Sequence, residues 1–240
     1  MSQLRPKRGG PDLPVGLLDF ASERRDKRHP MGVLVKICGI NSFEAADAAA
    51  EAGADFAGLN FHKKSPRNVA PEQARTLADR LRGRVKLVAL FADAGDAEIG
   101  VAMEAAVPDF LQLHGGETPA RVAEIRSRFG VPVIKVFQVA DAGDFARVAE
   151  HDADMLLFDA RAPVGAAFPG GHGASFDWQL LRGRNFSRPW LLAGGLNAGN
   201  VARAIATSGA VGVDVSSGVE TAPGVKSAAM IREFVRQARA

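Results

Sequence analysis

The sequence predicts an α/β chain folded as a single (β/α)8 TIM barrel behind a disordered N-terminal extension. Three observations carry that prediction. From Val33 onward, short apolar runs alternate with helix-like patterns without a break. Eight such units fit into about 209 residues, near the lower end of the size range for this fold. Six of the eight runs also turn polar near their C-terminal ends, the end at which barrels bind and react. A doubly wound open sheet alternates in the same way, but it rarely needs eight consecutive uniform units.

The chain has 240 residues, 47% hydrophobic and 24% charged, enough to bury a sizeable core. No apolar run approaches the length of a membrane span, and no signal-peptide core opens the chain, so a cytoplasmic protein is expected. Its single cysteine excludes an internal disulfide and a thiolate zinc cluster. The sequence pI near 9.3 suggests nucleic acid. Yet residues 1–31 hold seven of the basic and four of the acidic side chains, and the remainder is balanced. That leaves no overall basic bias for nucleic-acid binding in residues 32–240, the expected catalytic domain.

Residues 1–31 are rich in Pro, Gly and Arg and lack a sustained apolar face. Met31 directly precedes the first strand and is expected to be the natural start; a genuine but disordered tail is the alternative. The predicted strands are 33–37, 55–60, 85–91, 109–113, 132–137, 154–158, 190–193 and 211–215. Helical patterns fall at 42–51, 71–81, 97–106, 117–129 and 197–207, with a last one ending at 231–238. Ser42, Pro71 and Asn197 open helices, and Gly53, Gly83 and Gly130 close them.

Parallel strands covered on both faces should be almost wholly apolar. The exceptions are Lys36 with Cys38, Asn60, Gln112 with His114, Lys135, Asp159 and Asp214. Lys36/Cys38 and Gln112/His114 share parity, which points one face of each strand into the barrel mouth. Lys36 and Asp214 could instead pair with each other across the first and eighth strands. Two glycine-rich turns follow the seventh and eighth strands, Ala193-Gly-Gly-Leu-Asn197 and Asp214-Val-Ser-Ser-Gly218. Freed backbone N–H groups, serine hydroxyls and a helix N-terminus make a dianion site there, the usual phosphate position in this fold. Arg67, stiffened by Pro66, is a candidate clamp for a carboxylate. The loop from Ala160 to Ser175 reads as a lid over the mouth, or as an inert surface loop.

These residues resemble the phosphoribosylanthranilate isomerase family. The resemblance rests on Lys36-Ile-Cys-Gly39, Ser65-Pro-Arg67, Leu111-Gln-Leu-His-Gly115 and Phe158-Asp159. It continues through Gly170-Gly-His-Gly-Ala-Ser-Phe-Asp-Trp178, Ala193-Gly-Gly-Leu-Asn197 and Gly212-Val-Asp-Val-Ser-Ser-Gly-Val-Glu220. It implies an Amadori rearrangement of N-(5-phosphoribosyl)anthranilate in tryptophan biosynthesis, with Asp159 as general acid and Cys38 as general base. By the same resemblance Arg67 holds the anthranilate carboxylate and Asp214 contacts the bridging amine or orders the site. Gly194, Gly195, Ser216 and Ser217 take the phosphate. The family often carries a lysine or threonine in the lid, where this chain has His172, Ala174 and Ser175.

Substrate and product share one redox level, so the chemistry calls for no metal and no organic cofactor. Both proposed groups need tuning. A free thiol is only a few per cent thiolate at neutral pH, and an ordinary aspartic acid is protonated in about one molecule per thousand. Lys36 is expected to favour the thiolate, and a partly apolar mouth to favour the acid. A metal-dependent epimerase, a Schiff-base aldolase using Lys36 or Lys135, or a catalytically dead phosphate-binding module are the competing functions. On its own, Cys38 reads equally as a small buried hydrophobe. The partner is a small phosphorylated molecule, and the sequence leaves monomer and homodimer open.

Overall fold

The computed structural model describes residues 32–163, 165–166 and 170–240. The expectations for residues 1–31, and for positions 164 and 167–169 of the lid, lie outside the described residues. Eight parallel strands close into one barrel: β1 (Leu34–Cys38), β2 (Phe56–Asn60), β3 (Lys86–Phe91), β4 (Phe110–Leu113), β5 (Val133–Val139), β6 (Met155–Ala160), β7 (Trp190–Leu192) and β8 (Gly212–Val215). The ring shuts between β8 and β1, where Lys36 stands in register with Asp214.

Two cores result from strand alternation. Val35, Ile37, Leu59, Leu87, Leu111, Val133, Phe158, Leu192 and Val213 face outward and join the helices in one apolar cluster. Phe56, Val88, Phe110, Ile134, Leu157 and Leu191, of opposite parity, are buried in the interior. Phe56 and Phe110 meet edge to face there, with ring centroids 5.6 Å apart. A filled interior leaves only the strand tips to build a site.

Six α-helices surround the ring among the described residues: α1 (Phe43–Glu51), α2 (Pro71–Leu81), α3 (Asp96–Ala106), α4 (Pro119–Phe129), α5 (Val201–Ser208) and α6 (Ala228–Ala238). Ser42 caps α1 as expected, accepting from the Ala45 N–H, and Pro71 opens α2. Thr118 and Pro119 open α4, and Gly130 ends it at φ +64°. After β5 and β6 the helices are replaced by 3-10 turns at Ala142–Phe145, Val148–Glu150 and Trp178–Leu181. Phe137, Phe145, Phe158, Phe186 and Trp190 fill the thinner shell there, with Phe158 and Phe186 ring centroids only 4.7 Å apart.

Asn197 does not open a helix. Its side chain accepts from the Gly199 N–H while Asn200 accepts from the Asn197 N–H, making a polar turn, and α5 starts only at Val201. Lys135 is also placed differently from expectation. It stands in register with Leu113, on the outer face of its strand, and its ammonium lies 2.7 Å from Glu117 and 2.8 Å from the Gly115 carbonyl. The mouth loses one expected polar group, and the β4–α4 turn gains an anchor.

A recurring clasp closes the bottom of the barrel. Asp55, Asp109 and Asp154, each just before an even strand, accept from N–H groups in the first two residues of β1, β3 and β5, at Val35, Leu87 and Val133, all at 2.8 Å. Arg239, Lys86 and Arg126 pair with the same carboxylates.

Candidate active site

The inward residues at the strand tips open into one cavity of about 780 Å³, its open mouth included. Every residue expected at the site lines it: Cys38, Arg67, Asp159, Gly194, Gly195, Asp214, Ser216 and Ser217. Cys38 ends β1 and Asp159 lies one residue before the end of β6. They stand on opposite sides of the mouth, three strands apart around the ring.

On the β1–β8 side, Lys36 is wholly buried and its Nζ lies 2.8 Å from Asp214 Oδ1. The pairing that the sequence left open is therefore made. Burial alone would pull the Lys36 ammonium down, but Asp214 and Cys38 outweigh it and hold it above the ordinary lysine value. Gly58, beside Cys38 in register, makes room for both groups: a Cβ there would lie 3.2 Å from Cys38 Sγ and 3.3 Å from Lys36 Nζ.

Cys38 is 6% exposed. Burial pushes its thiol above the ordinary cysteine value; Lys36 opposes this, Asp214 adds to it and Lys226 opposes it. The expectation that Lys36 favours the thiolate is thus right in sign and insufficient in size. A neutral thiol is the resting form at pH 7.

On the β6 side, Asp159 Oδ1 accepts from the Ala160 N–H at 2.8 Å. Its Oδ2 lies 3.3 Å from His114 Nε2, close but outside hydrogen-bond alignment. Gly170 closes over the pair, since a Cβ there would fall 2.5 Å from His114 Cε1 and 2.9 Å from Asp159 Oδ2. That contact places Gly170 of the 160–175 loop directly on the Asp159 carboxylate. Asn60 is spent on structure, its amide bonded to Ser65 Oγ and the His62 N–H.

Arg67 is not an open clamp. Its Nε and Nη2 hold both oxygens of Glu220, at 2.7 and 2.8 Å, and Nη2 reaches the Gly171 carbonyl at a long 3.3 Å. Only the Nη1 donors lack a partner among the described residues. Glu220 is shared with Lys226 at 2.6 Å, and Lys226 also donates to the Ser216 carbonyl at 2.9 Å. Ser216 Oγ donates in turn to the Cys38 carbonyl at 3.2 Å. Burial tends to raise the Glu220 carboxyl, but Arg67 and Lys226 together hold it below the usual range. Burial pulls the Lys226 ammonium below its ordinary value despite Glu220.

Glu220 and Lys226 were missed as site residues. Glu220 ends a motif the sequence displays, but nothing local shows that its partner is 153 residues away. Lys226 lies in a short hairpin, β9 (Glu220–Ala222) with β10 (Val225–Lys226), that follows β8 outside the eight-strand pattern.

The two glycine turns meet as expected. Gly194 and Gly195 both have positive φ, at +89° and +63°, and line the cavity with Ser216 and Ser217. A Cβ on Gly195 would press on the Gly173 and Ala174 carbonyls of the 160–175 loop, at 2.9 and 3.0 Å. Because α5 starts at Val201, the helix N-terminus does not follow these glycines directly, and the anion-site donors left to consider are the turn N–H groups and the two serine hydroxyls.

The N-(5'-phosphoribosyl)anthranilate (PRA) isomerase family model matches residues 35–237. An N-(5'-phosphoribosyl)anthranilate isomerase of Cereibacter sphaeroides is 52% identical over 210 residues, covering 87% of this chain and 99% of that protein. One from Rhodopseudomonas palustris is 53% identical over 212 residues, covering 88% and 97%. Among solved structures, phosphoribosyl anthranilate isomerase from Thermotoga maritima superposes with a TM-score of 0.75 at 35% identity, covering 86% of this chain and 98% of that one. A phosphoribosyl anthranilate isomerase in complex with reduced 1-(o-carboxyphenylamino)-1-deoxyribulose 5-phosphate superposes at 0.73 with 34% identity, covering 86% and 98%.

Proposed function

We infer the chemistry of this site from one premise: the chain belongs to the N-(5'-phosphoribosyl)anthranilate isomerase family. It is an isomerase that converts N-(5'-phosphoribosyl)anthranilate to 1-(2-carboxyphenylamino)-1-deoxyribulose 5-phosphate in tryptophan biosynthesis. We assign roles to individual residues on the support of how they are set around the cavity.

Asp159 donates a proton to the ribose ring oxygen as the C1–O bond breaks, and the anilino nitrogen supplies the electrons that form a C1=N iminium. Cys38, as thiolate, removes the proton from C2, and the C–H electrons form the C1=C2 double bond of an enaminol. Loss of the hydroxyl proton and protonation at C1 give the C2 ketone. Each well-placed acid or base contributes about 10²–10⁴-fold. The carrying observation is the placement of a buried thiol and a carboxylate, from opposite sides, in one cavity with an anion cradle.

Substrate binding has to convert the resting thiol to thiolate. Asp214 both adds to the upward pressure on Cys38 and occupies Lys36. Turning Asp214 toward the substrate's bridging amine would withdraw the first effect and free Lys36 to face the thiolate. The phosphate sits on Gly194, Gly195, Ser216 and Ser217. Arg67 receives the anthranilate carboxylate on its Nη1 side, while Glu220 fixes the opposite edge of the guanidinium. The partner is this phosphorylated small molecule; the protein works in the cytoplasm, as a monomer or homodimer that sedimentation would distinguish. Among the described residues, no helix is long and apolar enough to cross a membrane.

Freshly generated substrate mixed with the full chain tests the reading. Loss of anthranilate fluorescence faster than spontaneous hydrolysis, with the aminodeoxyribulose phosphate as product, is expected. Anthranilate and ribose phosphate as the only products would overturn it.

A further inference from the structure

Gln112 sits at the inner end of the cavity on β4, in register with Leu90 on one side and Ile134 on the other. It is 1% exposed, and neither its amide nitrogen nor its amide oxygen has a hydrogen-bond partner among the described residues. Buried polar groups are almost always satisfied, and an unmet one weakens the fold. Asn60, the cavity's other amide, shows the usual case, with its nitrogen on Ser65 Oγ and its oxygen on the His62 N–H. Gln112 thus holds donors and an acceptor in reserve, two residues below His114 on the inward face and on the same wall as Asp159. Swapping its amide nitrogen and oxygen changes nothing, because both are unpartnered.

We propose that Gln112 is a specificity-determining residue that hydrogen-bonds a ribose hydroxyl of the substrate. The inference rests on the isomerase reading above and goes beyond it to a contact with the sugar. The chemistry of the amide selects the ligand group. A phosphate or carboxylate only accepts, so it would leave the amide oxygen unmet and place negative charge against it. A hydroxyl gives and takes one hydrogen bond each, matching the carboxamide on both counts. The anion cradle and Arg67 already serve the two charged ends of the substrate. The hydroxyls between them are the groups of the right kind that remain.

Gln112→Leu, with Gln112→Met as a second replacement, tests this in the full chain. Affinity for reduced 1-(o-carboxyphenylamino)-1-deoxyribulose 5-phosphate, which carries the hydroxyls, is expected to fall at least about 10-fold, with kcat/KM falling alongside. Affinity for inorganic phosphate should hold, and Tm should be unchanged or higher, because an unmet buried amide has been removed. Both ligands binding within about twofold of wild type would overturn the proposal while leaving the isomerase reading intact. A lowered Tm with equal loss of both ligands would assign Gln112 to packing and overturn it too. Wild-type protein that neither turns over the substrate nor binds the reduced product would overturn the reading and this proposal together.

Discussion

At the scale of single residues, the decisive fact is that Cys38 is buried among charges that disagree. Burial and Asp214 favour the thiol, Lys36 and Lys226 the thiolate, and the balance lies with the thiol. Because only the thiolate is alkylated, the rate at which a small haloacetamide modifies Cys38, the chain's single cysteine, should rise with pH and level off only above the ordinary thiol range. Lys226→Met removes one of the two cations that lower Cys38 and should move that inflection further up. A pH–rate profile over the alkaline range checks both; an unmoved inflection in Lys226→Met would remove Lys226 from the tuning of Cys38. The position of Cys38, Asp159, Asp214 and both glycine turns at the mouth was legible because each marks a polar or glycine break at the end of an apolar run. Lys135 was misplaced because the run Val133-Ile-Lys-Val-Phe137 is apolar on both sides of the lysine, so its parity cannot be read. Arg67 was legible as a carboxylate binder, but the carboxylate it holds, Glu220, arrives from the far end of the chain.

At the scale of elements, all eight strands lie within one or two residues of their expected limits, because buried parallel strands are written as contiguous apolar segments. The α5 start was less legible. Asn197 is a good cap by type, but Gly199 and the side chain of Asn200 favour a turn first. The Asp55, Asp109 and Asp154 clasps were not legible: each aspartate was read as the first residue of its strand, and its partner is a backbone N–H that a side-chain pattern does not display. Asp154 is the most instructive, since it takes the Val133 N–H and both the Nε and Nη2 donors of Arg126. Asp154→Ala leaves a buried N–H unmet and should cost about 3 kcal/mol. Urea unfolding would show this as a lower midpoint at unchanged slope; a shift under about 0.5 kcal/mol would mean the clasp is decorative.

At the scale of the whole molecule, buried carboxylates tie the fold to pH. Burial tends to raise Glu117, but the Lys135 ammonium and the backbone N–H groups of Asp93 and of Glu117 itself hold it below its ordinary 4.5, and Arg67 and Lys226 hold Glu220 down likewise. A carboxylate with a depressed folded value adds stability in full above the unfolded pKa and loses it as pH falls through the folded one. Stability should therefore hold near neutrality and decline from about pH 4.5 downward. In Lys135→Met, burial of Glu117 is no longer opposed by that charge, so the decline should begin at higher pH. Denaturation midpoints across this range, coincident for the two proteins, would contradict the assignment.

Asp159 and Cys38 stand at the two ends of the proposed proton path, and one assay reaches them directly. Anthranilate-fluorescence decay should be followed with fresh substrate in wild type, Asp159→Asn and Cys38→Ser, each as the full chain with its Tm checked. Each variant should fold normally and lose about 10²–10⁴-fold in turnover. Turnover within about threefold of wild type in either variant would contradict the acid and base assigned to this cavity.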